Sequence, residues 1–346
     1  MKIHKLTSTE GFIAIDLDDG DAPAVGIVRS APKILQGGAK ELARSLTYTF
    51  AVLEQERGGA SSGVNAPPDA RADALAAFVD EVRPMVEAGT FLPDAGKGVD
   101  DATLAGLRDV DPRSSIRFDD VNGVTLDAHL LGVGAAAAAS AAVSDLGGKT
   151  VAIEGFGASG PALARQAVEW GATVVAVSTT KGSIHNDDGI DPAALGDAYA
   201  ANGDEMLADL GEVGESWKIF TDPVDVLFAG SKMGAINHTT AANLDVAAVV
   251  PWGPIPVTSK AFAVLRKAGA IVVPDFVSTA GPVFAMWPGD DATAMSIETD
   301  AVATITELMN ELVGHADGPL LAGCYKAEAF LQTWQESLPF GRPLAA

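Results

Sequence analysis

The chain has 346 residues, 48% of them hydrophobic, which is enough for two domains with buried cores. Its 46 acidic residues outnumber 23 basic ones, and the net charge of -23 repels nucleic acid and anionic membranes. No apolar run is long enough to span a bilayer, no signal-like apolar core follows Met1, and the single cysteine, Cys324, excludes a disulfide framework or a cysteine metal cluster.

Residues 11–17 alternate like an edge strand, 18–21 read as a turn and 24–28 as a strand. Leu42, Leu46 and Ala51 give 39–52 a helical spacing. A glycine-rich turn is expected over 58–63, then Pro67 and Pro68. Residues 71–88 read as an amphipathic helix with Leu75, Phe78, Val79 and Val82 on one face, and 91–96 as a strand and loop. The charged segment 109–120 is a plausible hinge, and 126–146 a long alanine-rich helix.

A β-branched run at 150–153 then ends in G-x-G-x-x-G at Gly155, Gly157 and Gly160. Gly155 permits a tight turn, Gly157 lets a pyrophosphate approach the backbone, and Gly160 is expected to let the helix pack closely on the strand. That helix, with Pro161 in its first turn, offers unpaired N–H groups and a positive dipole end. Gly155, Phe156, Gly157, Ala158, Ser159 and Gly160 are therefore the expected phosphate loop. A second strand at 173–177 completes the βαβ context that makes the motif specific.

An acid at the end of the second strand would bind the adenosine ribose and favour NAD. The sequence has Ser178, Thr179, Thr180 and Lys181 instead, hydroxyls and a cation that suit a 2'-phosphate. NADP is thus expected to bind at least as well as NAD. Residues 181–191 read as a loop and 192–210 as mostly helical. Short strands at 224–228, 247–250 and 271–274 alternate with helix-length segments, and 292–334 is helical. The pattern predicts an α/β chain with a doubly wound parallel sheet, and Ala229 and Gly230 join the expected cofactor site at one strand end.

With these residues laid out, the chain resembles the glutamate/leucine/phenylalanine/valine dehydrogenase family over nearly its full length. The run 148–157, then 175–178, Gly182, Ile184, Asn186, Gly189, the run 271–275 and Ala280-Gly281 carry the match in the nucleotide half. Leu42-Ala43-Arg44 with Thr47-Tyr48, Gly58-Gly59-Ala60 and Pro93-Asp94 carry it in the first half. The resemblance implies a substrate and dimerisation domain over 1–125, a Rossmann domain over 126–290, and C-terminal helices over 291–346 that fold back on the first domain. It also implies a homo-oligomer that oxidises an L-amino acid with NAD or NADP.

The family uses one lysine for the substrate carboxylate, a second of lowered pKa, and an aspartate that moves protons. Asp94 matches the aspartate, whereas Thr49 and Ser61 stand where the lysines should be. Lys40 precedes the Leu-Ala-Arg helix motif and reads as an exposed decoy. His129 lies near a position where the family uses threonine by the nicotinamide, and Pro254, Pro282 and Met286 replace other cleft residues.

Three residues are therefore candidates for catalysis. Asp94 is either the proton carrier or a cap in a Pro-Asp turn. Lys232 either supplies the missing cation, gripping a carboxylate or the cofactor, or is a surface lysine. His129 is either a proton donor or a helix-surface histidine. Arg29 and Arg57 are further carboxylate candidates by position. The expected function is NAD(P)-dependent oxidation or reduction of a small amino-acid or oxo-acid substrate; a dinucleotide binder without turnover is the alternative. A cytoplasmic protein without a metal or nucleic-acid partner is expected, and its acidity fits either an ordinary soluble enzyme or a high-salt cytoplasm.

Overall fold

The computed structural model describes residues 1–17, 22–339 and 341–345, so the turn expected at 18–21 lies outside the described residues. The chain forms two compact units, Met1–Ser115 with Cys324–Pro343, and Ile116–Gly323 with Leu344–Ala346. The unit boundary falls inside the expected hinge, ten residues ahead of the domain limit expected at 125.

Unit 1 contains β1 (Lys2–Lys5), β2 (Gly11–Ile15), β3 (Ala24–Ala31), α1 (Gln36–Val52), β4 (Gly58–Asn65), α2 (Arg71–Glu87) and β5 (Phe91–Ala95). Its sheet runs in the order β1-β2-β4-β3-β5. β3 pairs in parallel with β4 and β5, and β2 antiparallel with β1 and β4. The glycine-rich stretch expected as a turn is thus the central strand, a correction with a packing cause. A Cβ on Gly59 would sit 2.0 Å from the Ala43 carbonyl oxygen of α1, so only a side-chain-free strand lets that helix lie so close. Thr47 of α1 seals the contact by accepting the Gly59 N–H at 2.9 Å. Tertiary packing overrides the turn propensity of the glycines here.

Unit 2 opens with the β6 (Asp120–Val121) and β7 (Val124–Thr125) hairpin and α3 (Leu126–Ala142), which Thr125 caps by accepting the Ala128 N–H. Then come β8 (Thr150–Glu154), α4 (Gly160–Glu169), β9 (Thr173–Thr179), β10 (Gly182–His185) and α5 (Pro192–Asn202). A 3-10 segment, Gly203–Asp209, follows α5. The remaining elements are β11 (Val224–Ala229), α6 (His238–Ala241), β12 (Val246–Pro251), α7 (Ser259–Ala268), β13 (Ile271–Val272), α8 (Asp275–Ser278), α9 (Val283–Met286), α10 (Ala294–Val313) and α11 (Pro319–Leu331).

The unit 2 sheet runs β10-β9-β8-β11-β12-β13, parallel except for β10. Its central strands are buried on both faces. Val151, Ile153, Val177, Val226, Leu227, Phe228 and Val249 are all fully buried, and each such side chain contributes about 1.5–3 kcal/mol. The segment expected as a loop after Lys181 contains β10, which pairs antiparallel with β9 and leaves the parallel core intact.

The C-terminal segment also departs from expectation. α10 belongs to unit 2, where its Ile297 and Ala301 join a core with Leu126, Leu130 and Val133 of α3. Only Cys324–Pro343 clusters with the first unit, where Glu328 bonds Tyr48 and Arg342, and Gly341 bonds Arg44. Gly318, at a φ of +80°, separates the two helices.

Candidate functional site

The strand order of unit 2 reverses between β8 and β11, and in open α/β sheets ligands bind at the carboxyl ends of strands around such a point. At the end of β8, Gly155 has a φ of +82°, and a Cβ there would lie 2.5 Å from the Ser231 nitrogen. Gly155 and Phe156 donate their N–H groups to the Ser178 carbonyl at 3.1 and 2.7 Å, which ties the start of the loop to β9. A Cβ on Gly157 would meet nothing nearer than 3.9 Å. The N–H groups of Gly157, Ala158 and Ser159 make no hydrogen bond among the described residues. Three adjacent unpaired donors, with open space beside Gly157 and a helix N-terminus following, fit a diphosphate.

The other loop residues hold this shape. Phe156 is 2% exposed, with its ring over Gly160 and edge-on to Tyr199 at 5.8 Å. The absent side chain of Gly160 therefore makes room for Phe156, rather than for helix and strand to approach as expected. Ser178 accepts from the loop, and its hydroxyl is a second acceptor for Gly155 at 3.3 Å.

A residue that sequence reasoning passed over closes the crevice. The buried Glu154 carboxylate accepts the Gly230 and Ser231 N–H groups at 2.9 and 3.0 Å, and its carbonyl accepts Trp252 Nε1 at 2.9 Å. Ala229 and Gly230, expected at the cofactor site, are tied into the protein at the end of β11. The Gly230 N–H bonds Glu154, its α-carbon abuts the Trp252 ring, and the Ala229 carbonyl accepts from Trp252. The available signal was an acid directly before the first glycine. Lys232 follows Ser231 on an exposed turn, with no side-chain partner among the described residues.

The patch expected to receive a 2'-phosphate is occupied by protein carboxylates. Thr180 donates to Asp204 at 2.6 Å, Thr179 to the Asp204 carbonyl at 2.8 Å, and Lys181 pairs with Glu205 at 2.5 Å. Glu205 holds the Lys181 pKa above its ordinary value. His129, placed by the resemblance near the nicotinamide, is 6% exposed rather than on a helix surface. Its Nε2 bonds Glu298 of α10 at 2.9 Å, and its Nδ1 is buried without a partner.

In unit 1, sheet register sets Ser61 of β4, Ile27 of β3 and Asp94 of β5 in one row. Arg113 donates from Nη1 to both Asp94 oxygens, at 2.9 and 2.8 Å, and from Nε and Nη2 to Asp111 at 3.0 and 2.7 Å. Burial alone would lower the Arg113 pKa, but Asp94 and Asp111 raise it well above the usual value. The buried Arg113 cation, nineteen residues along the chain, thereby holds both oxygens of Asp94 in place. Thr49 spends its hydroxyl on the Ser45 carbonyl at 3.2 Å, while the Ser61 hydroxyl is buried without a partner. Lys40 is exposed on α1, as expected of a decoy.

The family profile described as Glutamate/Leucine/Phenylalanine/Valine dehydrogenase matches residues 125–305. The NADP-specific glutamate dehydrogenase A1 of Halobacterium salinarum is 26% identical over 315 residues, 81% of this chain and 75% of the relative. The NAD-specific glutamate dehydrogenase A of the same organism is 24% identical over 322 residues, 82% and 71% of the two chains. Among solved structures, the hetero-hexameric glutamate dehydrogenase of Thermus thermophilus, in its Leu-bound form, has a TM-score of 0.79 at 22% identity, covering 95% of this chain and 86% of that one. The L-tryptophan dehydrogenase of Nostoc punctiforme has a TM-score of 0.64 at 19% identity and covers 97% of both. With the glycine loop and its βαβ setting, these matches establish that the chain belongs to the glutamate/leucine/phenylalanine/valine dehydrogenase family.

Proposed function

We propose that this protein is an NAD(P)-dependent oxidoreductase acting on a small amino acid or 2-oxo acid. The observation that carries this reading is the set of unpaired N–H groups at Gly157, Ala158 and Ser159 just after β8, with open space beside Gly157. The nicotinamide cofactor supplies hydride donation and acceptance when bound. Gly157, Ala158 and Ser159 hold the diphosphate, and Lys232, one residue beyond the Ser231 that abuts Gly155, adds a cation there. Asp94, oriented by Arg113, acts as a hydrogen-bond acceptor and base for the substrate nitrogen. His129 is a packing residue that ties α3 to α10.

Of the two dinucleotides, NAD is the better fit, reversing the expectation drawn from Ser178 to Lys181. Asp204 and Glu205 stand at the end of β9, where an acid favours ribose hydroxyls and repels a 2'-phosphate. Two halobacterial relatives named for opposite cofactors show that each choice occurs among similar chains. The structural neighbour from Thermus is described as hetero-hexameric, and an oligomer is the corresponding reading here.

The test is the absorbance of reduced nicotinamide during incubation with 2-oxo acids plus ammonium, and with amino acids plus oxidised cofactor, at low and high salt. Turnover with NAD favoured supports the proposal. Dinucleotide binding without turnover against any acid would replace it with a binding role, and no affinity for either dinucleotide would refute it.

A further inference from the structure

Three arginines of unit 1 grip carboxylates by the same edge of the guanidinium, the parallel Nε and Nη2 donors. Arg44 holds Asp16 at 2.7 Å from each nitrogen, Arg113 holds Asp111 at 3.0 and 2.7 Å, and Arg342 holds Glu328 at 2.7 and 2.8 Å. Arg29 of β3 offers this same Nε and Nη2 edge, and both nitrogens are buried with no acceptor. Shortage of acids is not the reason, since the chain carries 46 of them against 23 bases. Arg71, at the start of α2, leaves only one buried nitrogen, Nε, without a partner.

The position of Arg29 is fixed by its neighbours. A Cβ on Gly96 would lie 3.3 Å from both Arg29 Cγ and Ile27 Cβ, so the arginine stem runs along the sheet face that carries Ile27. Ile27 is in register with Ser61 and Asp94, the two family landmarks of that row. Arg29 thus stands one step along the same face toward the carboxyl ends of β3 and β5. A guanidinium stays ionised in a protein, and removing it from water without a counter-charge is costly. Burial here pushes the Arg29 pKa down with no opposing acid.

We propose that Arg29 is the carboxylate-binding cation of the substrate site, gripping the acid through its Nε and Nη2 pair in place of the lysines absent at Thr49 and Ser61. The substrate class follows as a carboxylic acid with a planar, bidentate acceptor, and the unpartnered Ser61 hydroxyl is a second polar contact on that face. This rests on the dehydrogenase reading for the identity of the acid, but the carboxylate site can be measured without turnover.

Calorimetric titration of NADH-bound protein with 2-oxoglutarate and with 2-oxobutanoate tests it in wild type, Arg29→Met and Arg29→Lys. Arg29→Met is expected to weaken both acids by about tenfold or more, while NADH affinity, which reports an intact unit 2, and melting temperature stay near wild type. Arg29→Lys should restore part of the binding, since lysine returns the charge without the fork. Equal affinity in wild type and Arg29→Met, or no affinity for either acid in wild type, overturns the proposal. Failure of the dehydrogenase reading has a different signature: carboxylate binding that depends on Arg29 with no hydride transfer to any acid.

Discussion

The two units use charge in opposite ways. Unit 1 buries arginines and surrounds them with acids, as in Arg44 with Asp16 and Arg113 with Asp94 and Asp111. Unit 2 leaves the uncharged backbone donors of Gly157, Ala158 and Ser159 unpaired among the described residues and spends a buried acid, Glu154, on those of Gly230 and Ser231. The difference teaches how to sort similar groups. Among the arginines and backbone N–H groups, those with a protein partner hold the fold, and those without one are the candidates for a ligand contact.

Substitutions that remove scaffold should separate from those that remove a ligand contact. The largest effect is expected for Arg113→Met, which leaves Asp94 and Asp111 without their shared cation and should cost about 3–5 kcal/mol of stability by denaturant unfolding. Arg29→Met should cost far less; an equal loss at both sites would erase the distinction.

In unit 2 the comparison falls within one loop. Gly155→Ala places a Cβ against Ser231 in a left-handed backbone conformation and should cost about 1–3 kcal/mol. Gly157→Val should change stability by less than about 0.5 kcal/mol yet weaken dinucleotide binding by about tenfold or more, because its side chain projects into open space. Thermal melts with and without NADH would show whether the two glycines divide in this way.

The smallest effect concerns Glu81, a surface counterpart of Glu154. Its carboxylate accepts the Thr7 and Ser8 N–H groups at 2.8 Å each, together with both hydroxyls. Burial alone would raise its pKa, but these bonds pull it from 4.5 down to about 2. Because the folded value lies below the unfolded one, the stabilisation is complete above about pH 4.5 and lost as pH falls toward 2. Glu81→Gln should therefore flatten the acid limb of the stability profile slightly and leave stability at neutral pH lower than wild type.

How much could be read in advance follows the range of the interactions involved. The glycine turn and the helix start after β8 were legible because both are set by residues within a few positions of one another. The central strand β4 was not, because its glycines are explained only by α1 lying on Gly59. Lys181 looked like a phosphate ligand until the fold brought Glu205 beside it. Glu154 and Ser231 lie 77 residues apart, and Arg113 and Asp94 nineteen, so no local pattern announces either pairing. The resemblance singled out Asp94, Thr49 and Ser61, and only the unit 1 pairings separated Arg29 from the other arginines.

Phe156 has a consequence for the binding step itself. A stretch as rich in glycine as 155–160 would sample many shapes in isolation, and each encounter with a dinucleotide would then have to select one of them. Wedged between Gly160 and Tyr199, the aromatic ring pins the backbone on both sides of the three free donors. At the proposed diphosphate site, the receptor is thus ready before its guest arrives, and more of the contact energy remains available as affinity.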